Sequence, residues 1–566
     1  MSRSKLRWGI GLAAAGSLVV AACSSGSSSP SASSAASATT AGPTGATTRP
    51  ATSAAASDLP EPIKAVMTKP RYADATWSLL VTDLDTGQSS YELNADQMSL
   101  TGSTRKLFSV GMALNALGAD ARQTTPVHRM GTVDPQGALD GNLVLVAGGD
   151  LTFGGRRIDA DTVAVTDFDH NDANGLGSAV LTPQDPLYAL DQLASQVKAA
   201  GITSVKGDVV VDDRLFQAYR VPNGNLLISP MLVNENMVDV TITPTQPGQP
   251  ATVDYRPKTA AFTVDGSVST GAAGTEGTVE LSGDGKIDCI GTPGCTGTVS
   301  GDLPEGYVAP LTGIGSFVHT FRVEDPTAFA RTAFIEALQR NGVTVTAPPA
   351  AANPAAALPE GTEYPADTKV ASYQSPPFDQ NAKLVLKVSL NLGANLDLSL
   401  FGLTKNQKTV EGALLAERQT LVDEFGLSWD QFDFPTNGSG TPDSRAAPRA
   451  LVQLLTQMAK TPVAAPYQAA LPVLGVDGSL ATSGTTLPGK GHVFAKPGTT
   501  VSPGPDGTTP VLKAQNLAGY IETKSGRKVA YALMVNDAGP VKDIAADVGG
   551  VFEDEATISS YLYENL

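Results

Sequence analysis

Three short stretches carry side chains whose types and spacing could perform acyl transfer. In Ser103-Thr104-Arg105-Lys106 a hydroxyl precedes an amine by three residues, and residues three apart share one face of a helix. If that face is buried, desolvation lowers the lysine pKa, and the neutral amine can take the serine proton as the oxygen attacks a carbonyl. Such a pair also needs a proton relay to the leaving group and a device that holds the substrate and its oxyanion. Ser389-Leu390-Asn391 offers a second hydroxyl and a carboxamide on one short turn. Lys496-Pro497-Gly498-Thr499 offers an ammonium, a glycine that permits close backbone approach, and a hydroxyl.

Other stretches imitate parts of this pattern. Ser195…Lys198 repeats the first spacing but falls late in an amphipathic helix, away from the N-terminus whose N–H groups favour developing negative charge. Lys524-Ser525-Gly526 imitates the third, in a polar turn between two apolar runs where Ser and Gly are turn chemistry. The four histidines (His128, His170, His319, His492) lie in no Gly-x-Ser-x-Gly or His-Glu-x-x-His setting, which excludes a Ser-His-Asp reading. The run Asp167-Phe168-Asp169-His170-Asn171 begins like a calcium loop. It lacks the sixth-position glycine and the final glutamate, so it reads as a solvated acidic loop and no metal is expected.

The elements that must position these residues can be followed along the chain. Thr76 to Asp83 and Ser89 to Leu93 read as a hairpin around Asp85-Thr86-Gly87. A helix then opens at Ser103, with a stripe at Leu107, Val110, Leu114 and Leu117 and a terminating Gly118. From about 130 to 355 the texture is short strands and Gly/Pro turns (209–211, 238–242, 261–264, 278–281), with one helix at Pro186 to Ala200. Ala/Pro-rich residues 347–366 read as a linker, followed by helices within 380–424 and 446–460. Strands at 493–495, 518–522 and 529–535 and a closing helix from Asp543 to Leu566 complete the pattern. The reading is one α/β domain built from both ends, 61–135 and 360–566, interrupted by a mainly β insertion, 136–359, of two subdomains.

The 566 residues carry a net charge of −17, with 41% apolar and 17% charged residues. That describes a globular chain and argues against nucleic-acid binding, which needs a basic face. Residues 1–22 have a basic start and an apolar run from Trp8 to Ala22, as an export signal does. Val20-Ala21-Ala22-Cys23 resembles the lipobox of bacterial lipoproteins, which implies cleavage before Cys23, its lipidation, and attachment to the outer face of the cytoplasmic membrane. Residues 23–60, mostly Ser, Ala, Thr, Gly and Pro, read as a flexible tether. Cys289 and Cys295 flank a Gly/Pro turn, and in an exported protein they are expected to pair as a disulfide.

In the order Ser-x-x-Lys, Ser-x-Asn, Lys-x-Gly, the three stretches match the motifs of the penicillin-recognising serine enzymes. The separation of Ser103 and Ser389, 286 positions, selects among them. Together with "LVLVAGGDLT" at 143–152, "SPPFDQ" at 375–380, "LPVLGVDGSL" at 471–480 and "NLAGYIETKSGRKVAYALMVN" at 516–536, the chain resembles the D-alanyl-D-alanine carboxypeptidase/endopeptidase family, the type-4, class C low-molecular-mass penicillin-binding proteins. The resemblance implies a serine β-lactamase/transpeptidase-like domain carrying the large insertion. It implies peptidoglycan stem peptides as substrates, β-lactams as acylating inhibitors, and no cofactor. By the same resemblance Ser103 is the nucleophile, Lys106 its base and Ser389 the relay. Asn391 positions the substrate amide, Lys496 and Thr499 bind its carboxylate beside the close-approach Gly498, and the backbone N–H groups of Ser103 and Thr499 stabilise the oxyanion. The family usually writes Ser-Asp-Asn, Asp-Gly-Ser-Gly and Lys-Thr-Gly where this chain has Ser389-Leu390-Asn391, Asn437-Gly438-Ser439-Gly440 and Lys496-Pro497-Gly498. Pro497 and Leu390 motivate a second reading, a degenerate member that binds peptidoglycan or wall-synthesis partners without turnover. A β-lactamase is a third.

Overall fold

The computed structural model describes residues 59–566 except Gly177, Asn223, Asn225, Pro310 and Leu311; the export signal, Cys23 and nearly all of the tether lie outside the described residues. The N- and C-terminal parts of the described chain meet in a five-stranded antiparallel sheet. Its strands are β1 (Thr76–Asp83), β2 (Ser89–Leu93), β3 (Val493–Pro503), β4 (Pro510–Glu522) and β5 (Lys528–Asn536), in the order β2-β1-β5-β4-β3. Period-two alternation sorts the side chains between two cores. Leu79, Val81, Leu517, Ile521, Tyr531, Leu533 and Val535 face the closing helix Ile544–Asn565 and the short helix Glu61–Met67. Leu80, Ala518, Tyr520, Ala530, Ala532 and Met534 face the opposite side, where the helix Pro448–Met458 covers the sheet and meets α1 (Lys106–Leu117) in the same core. The Ser103 turn itself lies against β3 and β4, where Gly102 and Gly498 allow close backbone approach.

Behind α1 stand α2 (Phe378–Val388), α3 (Asn391–Thr404) and α4 (Val410–Asp423). Their middle is fixed by a fully buried ion pair: the Arg105 guanidinium donates to both Glu417 oxygens at 2.8 and 2.5 Å and lies 4.0 Å over the Phe434 ring. Removing one partner strands the other charge in a dry interior, which typically costs about 3–5 kcal/mol. Glu417→Ala is therefore expected to lower unfolding stability by about that amount, read as a shift of the denaturant midpoint at unchanged slope.

Between the two ends the chain builds its insertion. Thr124–Val133 and Ala138–Val146 form a hairpin in a sheet that also takes in Ser204–Val205, Val209–Asp212, Thr344–Val345 and, on its far edge, Lys369–Gln374. A four-stranded and a three-stranded sheet follow, and Cys289 and Cys295 are bonded to each other beside the latter. Besides Tyr188–Ala199 the insertion has a second long helix, Pro326–Arg340, not expected from the sequence. Its start is nonetheless encoded: Asp325 accepts from the Ala328 N–H as an N-cap, with Pro326 at the first helical position. The insertion is not a separate lobe. Leu151, Val163, Phe216, Ile228 and Leu232 join the same core as Leu107, Val110 and Leu396. Among the described residues no helix is long and apolar enough to cross a membrane.

Candidate active site

Ser103 sits on one turn of 3-10 helix, Gly102–Arg105, that leads directly into α1. Four hydrogen bonds from three side chains fix this turn and the start of α1. Asn516 on β4 donates to the carbonyls of Leu100 and Thr101 at 2.8 and 2.9 Å. Arg105 Nε donates to the Asn437 carbonyl, and Ser109 Oγ donates to that of Gly438. The Asn437 side-chain oxygen in turn accepts from the N–H groups of Ser439 and Gly440. Gly440 admits the turn because any Cβ there would meet the Gly102 carbonyl oxygen at 1.9 Å.

Within this frame the separated residues converge. Lys106 Nζ is 2.7 Å from Ser103 Oγ and 3.1 Å from Ser389 Oγ. Lys496 Nζ is 2.9 Å from the same Ser389 Oγ, so Ser389 lies between two amines. Ser389 caps α2 in the left-handed region (φ 64°, ψ 39°), a conformation that turns the chain sharply into α3 and presents the hydroxyl inward. Leu390 is buried in the core, so the residue replacing the family's aspartate packs rather than faces the amines. Asn391 begins α3, and its side-chain oxygen is shielded from solvent with no hydrogen-bond partner.

Burial sets the electrostatics. Lys106 is fully buried, and desolvation pulls its pKa down to about 7, opposed by the Asp172 carboxylate of the insertion. Lys496 is driven well below its ordinary value, chiefly by burial and further by the charge of Lys106. The arrangement therefore supplies a neutral amine beside a serine hydroxyl at neutral pH.

Strand β3 explains what Pro497 does. The Ala495 N–H bonds outward to the Pro472 carbonyl, so odd-numbered residues direct their backbone groups away from β4. Pro497 falls on that outward set and removes no ladder hydrogen bond. Thr499 falls on it too, so its N–H points off the open edge. A Cβ on Gly498 would lie 3.0 Å from Ser103 N and one on Gly102 would lie 2.7 Å from Thr499 N, which places these two backbone nitrogens around one junction. Side chains alternate the other way. Lys496, Gly498 and Thr500 face α1, whereas Thr499 faces the closing helix. The Thr499 hydroxyl, expected to bind the substrate carboxylate, instead donates to Gln515 Oε1 at 2.7 Å. Thr500 is the hydroxyl on the Lys496 side, 3.4 Å from the Thr441 hydroxyl.

The imitations lie elsewhere. Ser195 and Lys198 are exposed on their helix, and Lys524-Ser525-Gly526 forms the β4–β5 turn. The acidic run at 167–171 departs from expectation: Asp169 and His170 are buried, because they fold against Glu235 and Asp239 rather than into solvent. Sequence reasoning also missed Arg105, Glu417, Asn516 and Asp172. For Asn516 a signal exists, the polar pair Gln515-Asn516 in the middle of a mostly apolar strand.

Three comparisons bear on this geometry. Residues 59–552 match the model of the D-Ala-D-Ala carboxypeptidase 3 (S13) family. The D-alanyl-D-alanine carboxypeptidase of Actinomadura sp. (strain R39) is 27% identical over 519 residues, covering 87% of this chain and 83% of that protein. The crystal structure of penicillin binding protein 4 from Haemophilus influenzae superposes with a TM-score of 0.63 at 18% identity, covering 89% of this chain and 99% of that one. Its complex with a β-lactam gives 0.61 at 19% identity, with the same coverage.

Proposed function

The chain belongs to the D-Ala-D-Ala carboxypeptidase 3 (S13) family and is a serine-type penicillin-binding peptidase that acts on peptidoglycan; from that premise we propose the following division of labour among its residues. Ser103 Oγ attacks the carbonyl of the penultimate D-alanine of a stem peptide, and Lys106 takes its proton. Ser389, between the two lysines, passes a proton to the departing amine as the C–N bond breaks. The N–H groups of Ser103 and Thr499 receive the oxyanion, and Asn391 accepts from the substrate amide through its shielded oxygen. Lys496 and the Thr500 hydroxyl hold the terminal carboxylate. Water then attacks the ester on Ser103; Lys106, neutral again once its proton has passed to the amine, takes one from the water and delivers it to Ser103 Oγ as the ester C–O bond breaks. β-Lactams acylate Ser103 by the same first step. Cys23 carries the lipid that holds the enzyme to the outer face of the cytoplasmic membrane.

The observation that carries this reading is the Lys106 amine, buried and within hydrogen-bond reach of two serine hydroxyls. It also favours turnover over the non-hydrolysing alternative, since Pro497 leaves both the outward Thr499 N–H and the β3–β4 ladder intact. The test is incubation with pentapeptide muropeptides and D,D-cross-linked dimers, with products identified by mass. Loss of one D-alanine marks carboxypeptidase action, and conversion of dimers to monomers marks endopeptidase action. Ser103→Ala should yield neither product and take up no fluorescent penicillin. Intact substrates together with an unlabelled wild-type Ser103 would make the protein a binder.

A further inference from the structure

Beside the acyl-transfer site, and outside it, lies a second buried constellation. One ligand-type atom from each of Asp169, His170 and Glu235 falls within 4.8 Å of the others, and the three residues are 1%, 6% and 3% exposed. His170 Nδ1 bonds to Asp239 Oδ1 at 2.8 Å, the carboxylate–histidine relay that orients a metal-binding imidazole. The other nitrogen, Nε2, is shielded and without a hydrogen-bond partner. It lies 3.3 Å from Glu235 Oε2 and 3.6 Å from Asp169 Oδ1. Those separations match the edge of a tetrahedron whose bonds are about 2.0–2.2 Å, roughly 3.4 Å. Arg156 holds the outer oxygens, Asp169 Oδ2 at 2.5 Å and Glu235 Oε1 at 2.6 Å; the inner pair faces the imidazole and accepts from the Asn171 amide nitrogen, a neutral group that a bound ion would displace. Asn234, Glu235 and Asn236 all stand at positive φ (50°, 55° and 57°), a strained turn that brings the Glu235 carboxylate inward.

We propose that Asp169, His170 and Glu235 form a site for one divalent transition cation of the zinc class, with a fourth position for water. One imidazole with two carboxylates suits zinc better than calcium or magnesium, which take all-oxygen sets. Asp169, Glu235 and Asp239 outnumber Arg156 and Arg256 by one charge, which is balanced either by an imidazolium at His170 or, with the imidazole neutral as a ligand must be, by the cation. The ion would bind the loop that carries Asp172 to the body of the insertion, and Asp172 is the carboxylate whose charge reaches Lys106. This site is independent of the reading of Ser103 as a nucleophile.

The full chain, stripped with a chelator and titrated with zinc alone in a calorimeter, is expected to bind one ion per chain and to melt several degrees higher when loaded. His170→Ala and the isosteric Glu235→Gln should each weaken binding at least tenfold. Cobalt(II) in the wild-type protein should show the intense visible absorption of a tetrahedral nitrogen–oxygen site, a readout that requires no variant to fold. Absence of zinc uptake by the wild type, an aqueous octahedral cobalt spectrum, or undiminished uptake by Glu235→Gln would overturn the proposal and leave an ion-pair network around a protonated His170.

Discussion

Acylation of Ser103 by a penicillin is expected to rise about tenfold per pH unit up to pH 7 and to level off above it. The proton acceptor is Lys106, and only its neutral form can take the serine proton. Burial has lowered its pKa to about 7, so the fraction of competent enzyme falls as pH drops below that value and is nearly complete one unit above it. The groups facing the amine are few: the Ser103 and Ser389 hydroxyls, the Lys496 amine on β3 and the Asp172 carboxylate from the insertion. Lys106→Ala should lower the acylation rate constant by about 10²–10⁴, the usual worth of a positioned general base, and should abolish the inflection near pH 7. Stopped-flow labelling across pH 5 to 9 measures both effects. A wild-type profile that stays flat from pH 5 to 9 would remove Lys106 from the role of base.

Gly498→Ala should be nearly as damaging without touching any acid or base. The added methyl would sit 2.3 Å from the Thr101 carbonyl oxygen and 2.7 Å from Thr104 N, and both obstacles are backbone. The edge strand and the serine turn must then separate by a fraction of an ångström to an ångström. The Thr499 N–H would leave its place opposite Ser103 N, and loss of one oxyanion donor typically lowers turnover about 10²–10³-fold. The sheet behind it is held by the β4 and β5 ladders, so the fold should persist. Circular dichroism and the acylation rate together separate this outcome from global unfolding, and unchanged turnover would show that the two backbone segments need not touch.

The terminal sheet, the closing helix and the three motif stretches were legible because each depends on local pattern. Period-two apolar runs made β1, β4 and β5 readable, and order along the chain joined Ser103, Ser389 and Lys496 through a resemblance. What stayed hidden depends on tertiary contact. The orientation of Thr499 follows from strand parity counted from Lys496, and its bond to Gln515 requires knowing which residue pairs across the ladder. The burial of Asp169 and His170 follows from a partner 66 residues downstream of Asp169, Glu235, which no local composition announces. Arg105 reads in sequence as a polar filler between the serine and the lysine. Only the fold reveals the carboxylate 312 positions away that holds it.

The proline at 497 has one further effect, on how a ligand can register along β3. The outward edge of this strand has its Ala495 N–H already bonded to Pro472, and the next outward residue is a proline with no N–H to give. Between Ala495 and the bulge after Thr500, the Thr499 N–H is thus the one outward main-chain donor that the strand leaves for an extended chain lying alongside. A guest peptide cannot slide two residues and find the same welcome, so its alignment is single-valued. The same missing donor discourages unrelated strands from zipping onto the open margin.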